Sequence, residues 1–138
     1  IEIYLHFNGK VATMVEINSE TDFVAKNDEF RQLAKDIALH VASARPIAVR
    51  VEDVPADVVE RERRVYVAQV AEEKKPEAVK EKIVEGKLKK FYQENVLLEQ
   101  PFVKDDKVTV GDLVKALSGK TGEKVQVRRF ARFELGGN

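Results

Sequence analysis

The sequence predicts an α+β domain: a three-stranded antiparallel sheet packed with helices, including a protruding antiparallel helix pair. Three observations carry this. Two runs of alternating polar and apolar residues flank Asn8-Gly9, and a third closes the chain at residues 124–134. Between them the apolar period becomes helical. Two long helical stretches open on Pro55 and Pro76, joined only by Lys74-Lys75-Pro76, a link short enough to make them antiparallel neighbours.

Taken in order, Ile1, Ile3, Leu5 and Phe7 share one face of the first run, with Glu2, Tyr4 and His6 opposite. In the second run Val11, Thr13, Val15 and Ile17 oppose Ala12, Met14 and Glu16. Pairing Phe7 with Lys10 would set the two apolar faces against each other, whereas pairing Phe7 with Val11 aligns them. A three-residue loop is therefore expected, with Gly9 or Lys10 left-handed, and Tyr4 and Met14 on a second face that also calls for cover. Ser19 with Asp22 makes a capping box, and Thr21 is an alternative N-cap. Asn27 caps a helix running to about Ala44, with Phe30, Leu33, Ala34, Ile37, Ala38 and Val41 at helical spacing, and Pro46 ends it. Residues 47–52 are ambiguous, with Val49 and Val51 able to form a short extended piece.

The helical hairpin covers residues from about 55 to 95. Its first helix runs to about Glu72, with Val58, Arg61, Val65, Ala68 and Glu72 along one face. Its second carries Val79, Ile83, Leu88 and Phe91. Gly86 costs this helix about 1 kcal/mol relative to Ala and marks either a close crossing or a bend. Gln100-Pro101-Phe102-Val103 reads as extended and Asp105-Asp106 as a turn. Thr109 and Asp112 form another capping box, opening a short helix through Leu117 that Gly119 and Gly122 close. The last run sets Val125, Val127, Ala131 and Phe133 on one face and is expected to join the first hairpin.

The length of 138 residues suits one domain, and 43% hydrophobic content suffices for a core. The 24 basic and 24 acidic residues cancel, which argues against the one-signed field of a dominant nucleic-acid or membrane-surface binder. Without cysteine there is no disulfide framework, thiol nucleophile or Cys-based zinc site, which fits a reducing compartment. No apolar run approaches the roughly 20 residues a bilayer-spanning helix needs. The chain begins with Ile1 inside a strand pattern and is expected to be a piece of a longer protein.

The motifs of enzymes fail on inspection. Gly119-Lys120-Thr121 would need a glycine at position 114 to end a phosphate-binding loop, and Val114 stands there. Asp105-Asp106 between lysines is a solvated turn rather than a metal site. Two histidines far apart do not make a zinc site, and no nucleophile-elbow pattern is present. No catalytic residue, metal or cofactor is therefore assigned. Lone histidines are mostly structural or solvated, which is the reading for His40. Arg128-Arg129-Phe130-Ala131-Arg132-Phe133 and Lys89-Lys90-Phe91-Tyr92 interleave basic and aromatic residues, the opening for an alternative as an RNA-binding module; zero net charge and the lack of a second aromatic strand motif weigh against it. Phe23 is the oddity. Residue chemistry alone favours folding this large ring back under the next helix.

Glu16-Ile17-Asn18-Ser19-Glu20-Thr21-Asp22-Phe23-Val24-Ala25-Lys26-Asn27 resembles the signature of elongation factor Ts, the exchange factor for the translational GTPase EF-Tu (elongation factor Tu). Tyr4-Leu5-His6 with Gly9-Lys10-Val11, Ala38-Leu39-His40-Val41-Ala42, Glu85-Gly86-Lys87-Leu88-Lys89-Lys90-Phe91, Gln100-Pro101-Phe102-Val103 and Val127-Arg128-Arg129-Phe130 through Phe133-Glu134 also resemble that family, in order, across nearly all of the chain. The resemblance implies a cytoplasmic, non-enzymatic exchange factor of translation elongation, of bacteria or an organelle matrix. It implies the core (dimerisation) domain of that family over residues 1–138, without the small N-terminal helical domain, and hence weak exchange by this piece alone. It reverses the reading of Phe23: Thr21, Asp22, Phe23 and Val24, with His6 nearby, become the EF-Tu-binding site, the ring wedging into the nucleotide and magnesium region while Asp22 orients the contact. It also implies a homodimer through the sheet, burying Tyr4 or Met14, and no direct contact with nucleic acid or membrane.

Overall fold

The chain folds around one strand whose inward face is all core. In a computed structural model that describes residues 1–137, the elements are β1 (Glu2–Leu5), β2 (Val11–Asn18), α1 (Asp22–Ala25), α2 (Asp28–Ala44), α3 (Ala56–Val70), α4 (Glu77–Asn95), β3 (Pro101–Phe102), β4 (Asp105–Thr109), α5 (Val110–Thr121) and β5 (Gln126–Glu134). Asn138, the last residue of the expected domain, lies outside the described residues. The class is α+β. β2 is the centre of a three-stranded antiparallel sheet in the order β1-β2-β5, and β3 and β4 form a second, two-stranded sheet.

The inward residues of β2, Thr13, Val15 and Ile17, are buried against α2, which faces them with Phe30, Leu33, Ala34, Ile37, Ala38 and Val41. Thr13 is the one polar member of that strand face, and its hydroxyl donates to the Ala38 carbonyl at 2.8 Å, so nothing is left unpaired. Val110, Val114 and Leu117 of α5 join the same cluster. The expected caps of α2 and α5 are present. The Asn27 side chain accepts from the Glu29 N–H at 2.7 Å, and Thr109 and Asp112 cap reciprocally.

The first hairpin adopts the register that face alignment argued against. Ile3 pairs with Met14 and Leu5 with Ala12, while the His6 N–H donates to the Val11 carbonyl at 2.9 Å. The loop thus comprises residues 7–10. Gly9 takes φ 71°, and the Asn8 side chain accepts from the Lys10 N–H. Tyr4 therefore points inward against the core cluster, and Ile3 and Leu5 point outward with Met14. Tyr4 and Met14 do not share a face, as the aligned register required. Tyrosine can stand inward because its ring packs while its hydroxyl reaches a partner, here His6 Nδ1 at 2.8 Å.

β5 likewise does not keep one face. The pairing steps from Glu16↔Arg129 to Ile17↔Val127, leaving Arg128 as the extra residue of a β-bulge. The bulge shifts the alternation by one. Val125 and Val127 are buried, but beyond Arg128 it is Phe130 and Arg132 that turn inward and Ala131 and Phe133 that turn out.

The two Pro-led helices form the expected antiparallel arm, packed mainly on itself. Val59, Tyr66 and Val70 of α3 meet Ile83, Val84, Leu88 and Tyr92 of α4. The expected α3 stripe through Val65 is rotated away, and Val65 is half exposed. The helix carries valines on several faces, so its own period cannot select the one α4 covers. α3 ends at Val70, short of Glu72. At the base, Ala48 forms an isolated parallel bridge with Val96, and Ala48, Val54 and Val96 make a small separate cluster with Phe91 and Tyr92. This settles residues 47–52 as one bridge followed by a 3-10 turn, Val51–Asp53. Asp105 and Asp106 open β4 rather than forming the turn, which falls at Val103-Lys104. α5 continues past Leu117 and Gly119 to Thr121, and Gly122 at φ 73° stops it.

Gly86 is neither a crossing point nor a break. α4 runs through it, and a Cβ added there meets nothing within 4 Å. Gly86→Ala is expected to raise unfolding stability by about 1 kcal/mol, read by chemical denaturation, because only helix propensity changes.

Candidate functional site

The corner between β2 and α2 is built from two caps in sequence. Thr21, not Ser19, is the N-cap of α1: its Oγ1 accepts from the Val24 N–H at 3.4 Å, while Ser19 Oγ donates to the Thr21 carbonyl at 2.9 Å. One turn later Asn27 starts α2. This single turn splits its side chains sharply. Val24 is buried in the main cluster, Asp22 is exposed, and Phe23 is 91% exposed. Val24 therefore anchors the turn in its own core, and Phe23 is held out. Burial of Phe23 under α2, favoured by residue chemistry, does not occur.

A residue that pattern reading missed fixes the corner. Glu123, in the connection between α5 and β5, accepts three hydrogen bonds. Its Oε1 takes the N–H groups of Glu20 (3.1 Å) and Thr21 (2.9 Å), and its Oε2 takes the Thr21 hydroxyl (2.6 Å). The partners lie 102 and 103 residues away, beyond any local periodicity. The usable signal was indirect. A last strand paired with the first hairpin, here Asn18 opposite Gln126, brings the residues just before it beside residues 19–21.

His6 is not near this corner. It lies opposite Val11, and Phe23 follows the other end of β2 at Asn18; seven residues at about 3.3 Å each separate the two ends by about 23 Å. Its ring stands 4.5 Å from that of Phe7, centroid to centroid, beside a surface cavity of about 420 Å³ lined by Tyr4, Leu39, Arg45 and Arg132. Met14 sits on the outer sheet face, where Ile3 (60% exposed), Leu5 (65%) and Phe133 (74%) surround it without cover. The basic residues of β5 are engaged at home. Arg128 and Arg129 both pair with Glu16, whose carboxyl is held below its usual range by the Asn18 hydrogen bond first and by the two guanidinium groups after it, and Arg132 donates to the Ala42 carbonyl at the end of α2. Phe130 turns inward, and Phe133 is the exposed aromatic residue of the strand.

His40 is structural. It is fully buried between α2 and the small sheet, stacked on Phe102. Its Nδ1 accepts from the Val103 N–H at 3.2 Å, so Nε2 carries the hydrogen and donates to Gln100 Oε1 at 2.9 Å. The Gln100 amide in turn donates to the carbonyls of Glu94 and Ala44, joining the end of α4 to the end of α2. Among the described residues no three His, Cys, Asp or Glu gather in metal-binding geometry, and no helix is long and apolar enough to cross a membrane.

These features define an α+β module whose distinctive surfaces are an aromatic ring on a pinned corner, a bare apolar sheet face and a helical arm. The sequence profile described as Elongation factor TS matches residues 1–137. Proteins named Elongation factor Ts from Desulfosudis oleivorans and Solidesulfovibrio magneticus are 49% and 53% identical, over 99% and 96% of this chain and 69% and 66% of their own length. One from Herpetosiphon aurantiacus is 54% identical over the whole chain and 70% of its own length. The chain belongs to the elongation factor Ts family, a family of translation elongation factors, and spans 61% to 70% of the length of the curated relatives it matches.

Burial holds the His40 pKa below its ordinary 6.5, the Gln100 hydrogen bond opposing only in part. The unfolded chain then takes up a proton as pH falls through 6.5 and the folded chain does not. The contribution is fully present above that pH and is lost below it. Melting temperature is expected to fall between pH 7 and about 5.5, and His40→Leu to flatten that slope while lowering stability throughout.

Proposed function

We propose that this chain accelerates release of GDP from EF-Tu, with Asp22 and Phe23 as the residues that enter the partner. The observation that carries this is the pairing of an exposed Phe23 with a buried Val24 on one anchored turn. An exchange factor works by differential affinity. It must bind the nucleotide-free partner more tightly than the nucleotide-bound one, because equal binding shifts nothing. A ring that fits a cleft present only in the opened partner supplies that difference. Covering one phenylalanine is worth about 2 kcal/mol, or about thirtyfold in the equilibrium between the two states. Asp22, beside it with an exposed side chain, orients the contact by hydrogen bonding. The process needs no covalent chemistry, so the protein acts as a binding factor rather than an enzyme, and the cytoplasm is its place of work.

A second surface serves assembly. The outer sheet face formed by Ile3, Leu5, Ala12, Met14, Ala131 and Phe133 suits a second copy of the same face, since a two-fold contact is self-complementary. Met14 lies at its centre. Tyr4 faces the core and takes no part. His6, at the far end of the sheet from Phe23, belongs to a separate part of any partner contact.

Two outcomes follow. Phe23→Ala should slow stimulated loss of labelled GDP from EF-Tu by about thirtyfold in stopped flow while leaving the melting temperature within a degree or so; unchanged release would end the wedge reading. Met14→Lys should convert a dimer to a monomer in sedimentation equilibrium, and a wild-type chain that is already monomeric at about 100 μM refutes the paired face.

A further inference from the structure

The corner that carries Asp22 and Phe23 is held from within by one short turn, the Ser19–Thr21 hydrogen bond and the buried Val24. α1 is four residues long, far below the length at which a helix is stable alone, and its one side-chain cap, the hydrogen bond from the Val24 N–H to Thr21 Oγ1, is long at 3.4 Å. Its inward anchor is Val24. The N–H groups of Glu20 and Thr21 precede the turn and have their hydrogen-bond acceptor in Glu123.

We infer that Glu123 is the positioning residue of the exchange corner: its carboxylate, delivered from the α5–β5 connection, fixes the direction in which Asp22 and Phe23 are presented to the partner. This rests on the exchange reading above and deepens it. The geometry supports it in two ways. The two oxygens divide the work, Oε1 on the Glu20 and Thr21 N–H groups and Oε2 on the Thr21 hydroxyl at 2.6 Å. Because the Thr21 hydroxyl spends its hydrogen on Glu123, its lone pairs are left to face the Val24 N–H, so the carboxylate sets the orientation of the N-cap as well as the backbone before it. Glu123 is also held from behind. Its own N–H donates to Thr121 Oγ1, and the connection is tied again where Ser118 Oγ accepts from the Val125 N–H at 3.0 Å. The support therefore comes from a connection closed on itself, running between a helix and the sheet.

A rigidly presented ring avoids the ordering cost that a mobile one meets when it enters a cleft, and the effect belongs to the step that opens the partner rather than to first encounter. Glu123→Ala is expected to lower the maximal rate of labelled-GDP release about tenfold with the half-saturating concentration changed far less, and to speed hydrogen exchange of the Glu20, Thr21 and Val24 amides about tenfold while amides of β2 and α2 keep their protection. Glu123→Gln retains a carbonyl oxygen for both backbone N–H groups and should recover most of the rate. In a Phe23→Ala background, Glu123→Ala should cost far less than in the wild type, since only the part carried by Asp22 remains. Equal losses in the two backgrounds, or corner amides as protected as in the wild type, overturn the assignment. Should the wild-type chain fail to accelerate release at all, the exchange reading falls by itself, and the proposal, which makes Glu123 a positioning residue for exchange, falls with it; unchanged protection of the corner in Glu123→Ala would remove the structural part as well.

Discussion

Burial of one face of β2 is the constraint to which the rest of the sheet conforms. Thr13, Val15 and Ile17 are committed to the core by α2, and neither neighbouring strand can alter that choice. β1 meets it through a four-residue loop that sends Tyr4 inward at the expense of Ile3 and Leu5. β5 meets it with a bulge at Arg128, which lets Val127 serve the core at one end while Phe130 and Arg132 serve it at the other. Both accommodations push apolar side chains outward, and the bare outer face is their joint product. Surface that a monomer would ordinarily avoid thus arises from how the core is satisfied.

The same economy appears at the corner between β2 and α2. Val24 and Phe23 are neighbours with similar preferences for burial, yet one is in the core and the other in water. Side chains on a helical turn step about 100° from one residue to the next, and with Val24 and Ala25 packed against the main core Phe23 is carried round to solvent. The turn thus gives its inward direction to Val24 and leaves the Phe23 ring uncovered by its own chain.

What could be read from the sequence was local. The proline-led helices, the Asn27 and Thr109 caps and the period-two strands all depend on residues within a few positions of one another, and all are where the pattern puts them. What could not be read was relational. The hairpin register turned on Gly9 and Asn8 rather than on matching apolar faces, and the bulge at Arg128 inverted half of the last strand, both decided by contacts with β2. The stripe on α3 was illegible because Val58, Val59, Val65, Val67 and Val70 cover several faces, and only α4 selects among them. At the site, the exposure of Phe23 ran against residue preference and was legible only through family resemblance. Glu123 carried no local mark.

The arm is joined to the body at its base, through the Ala48–Val96 bridge and a small cluster, while its outer half coheres through a cluster of its own. Cohesion divided in this way makes its length an adjustable quantity. Matched turns could be removed from, or added to, both helices beyond Tyr66 and Leu88 without disturbing any residue of the main core. Reach would change while the foundation stayed the same, so how far the arm extends is set separately from the packing of the main core.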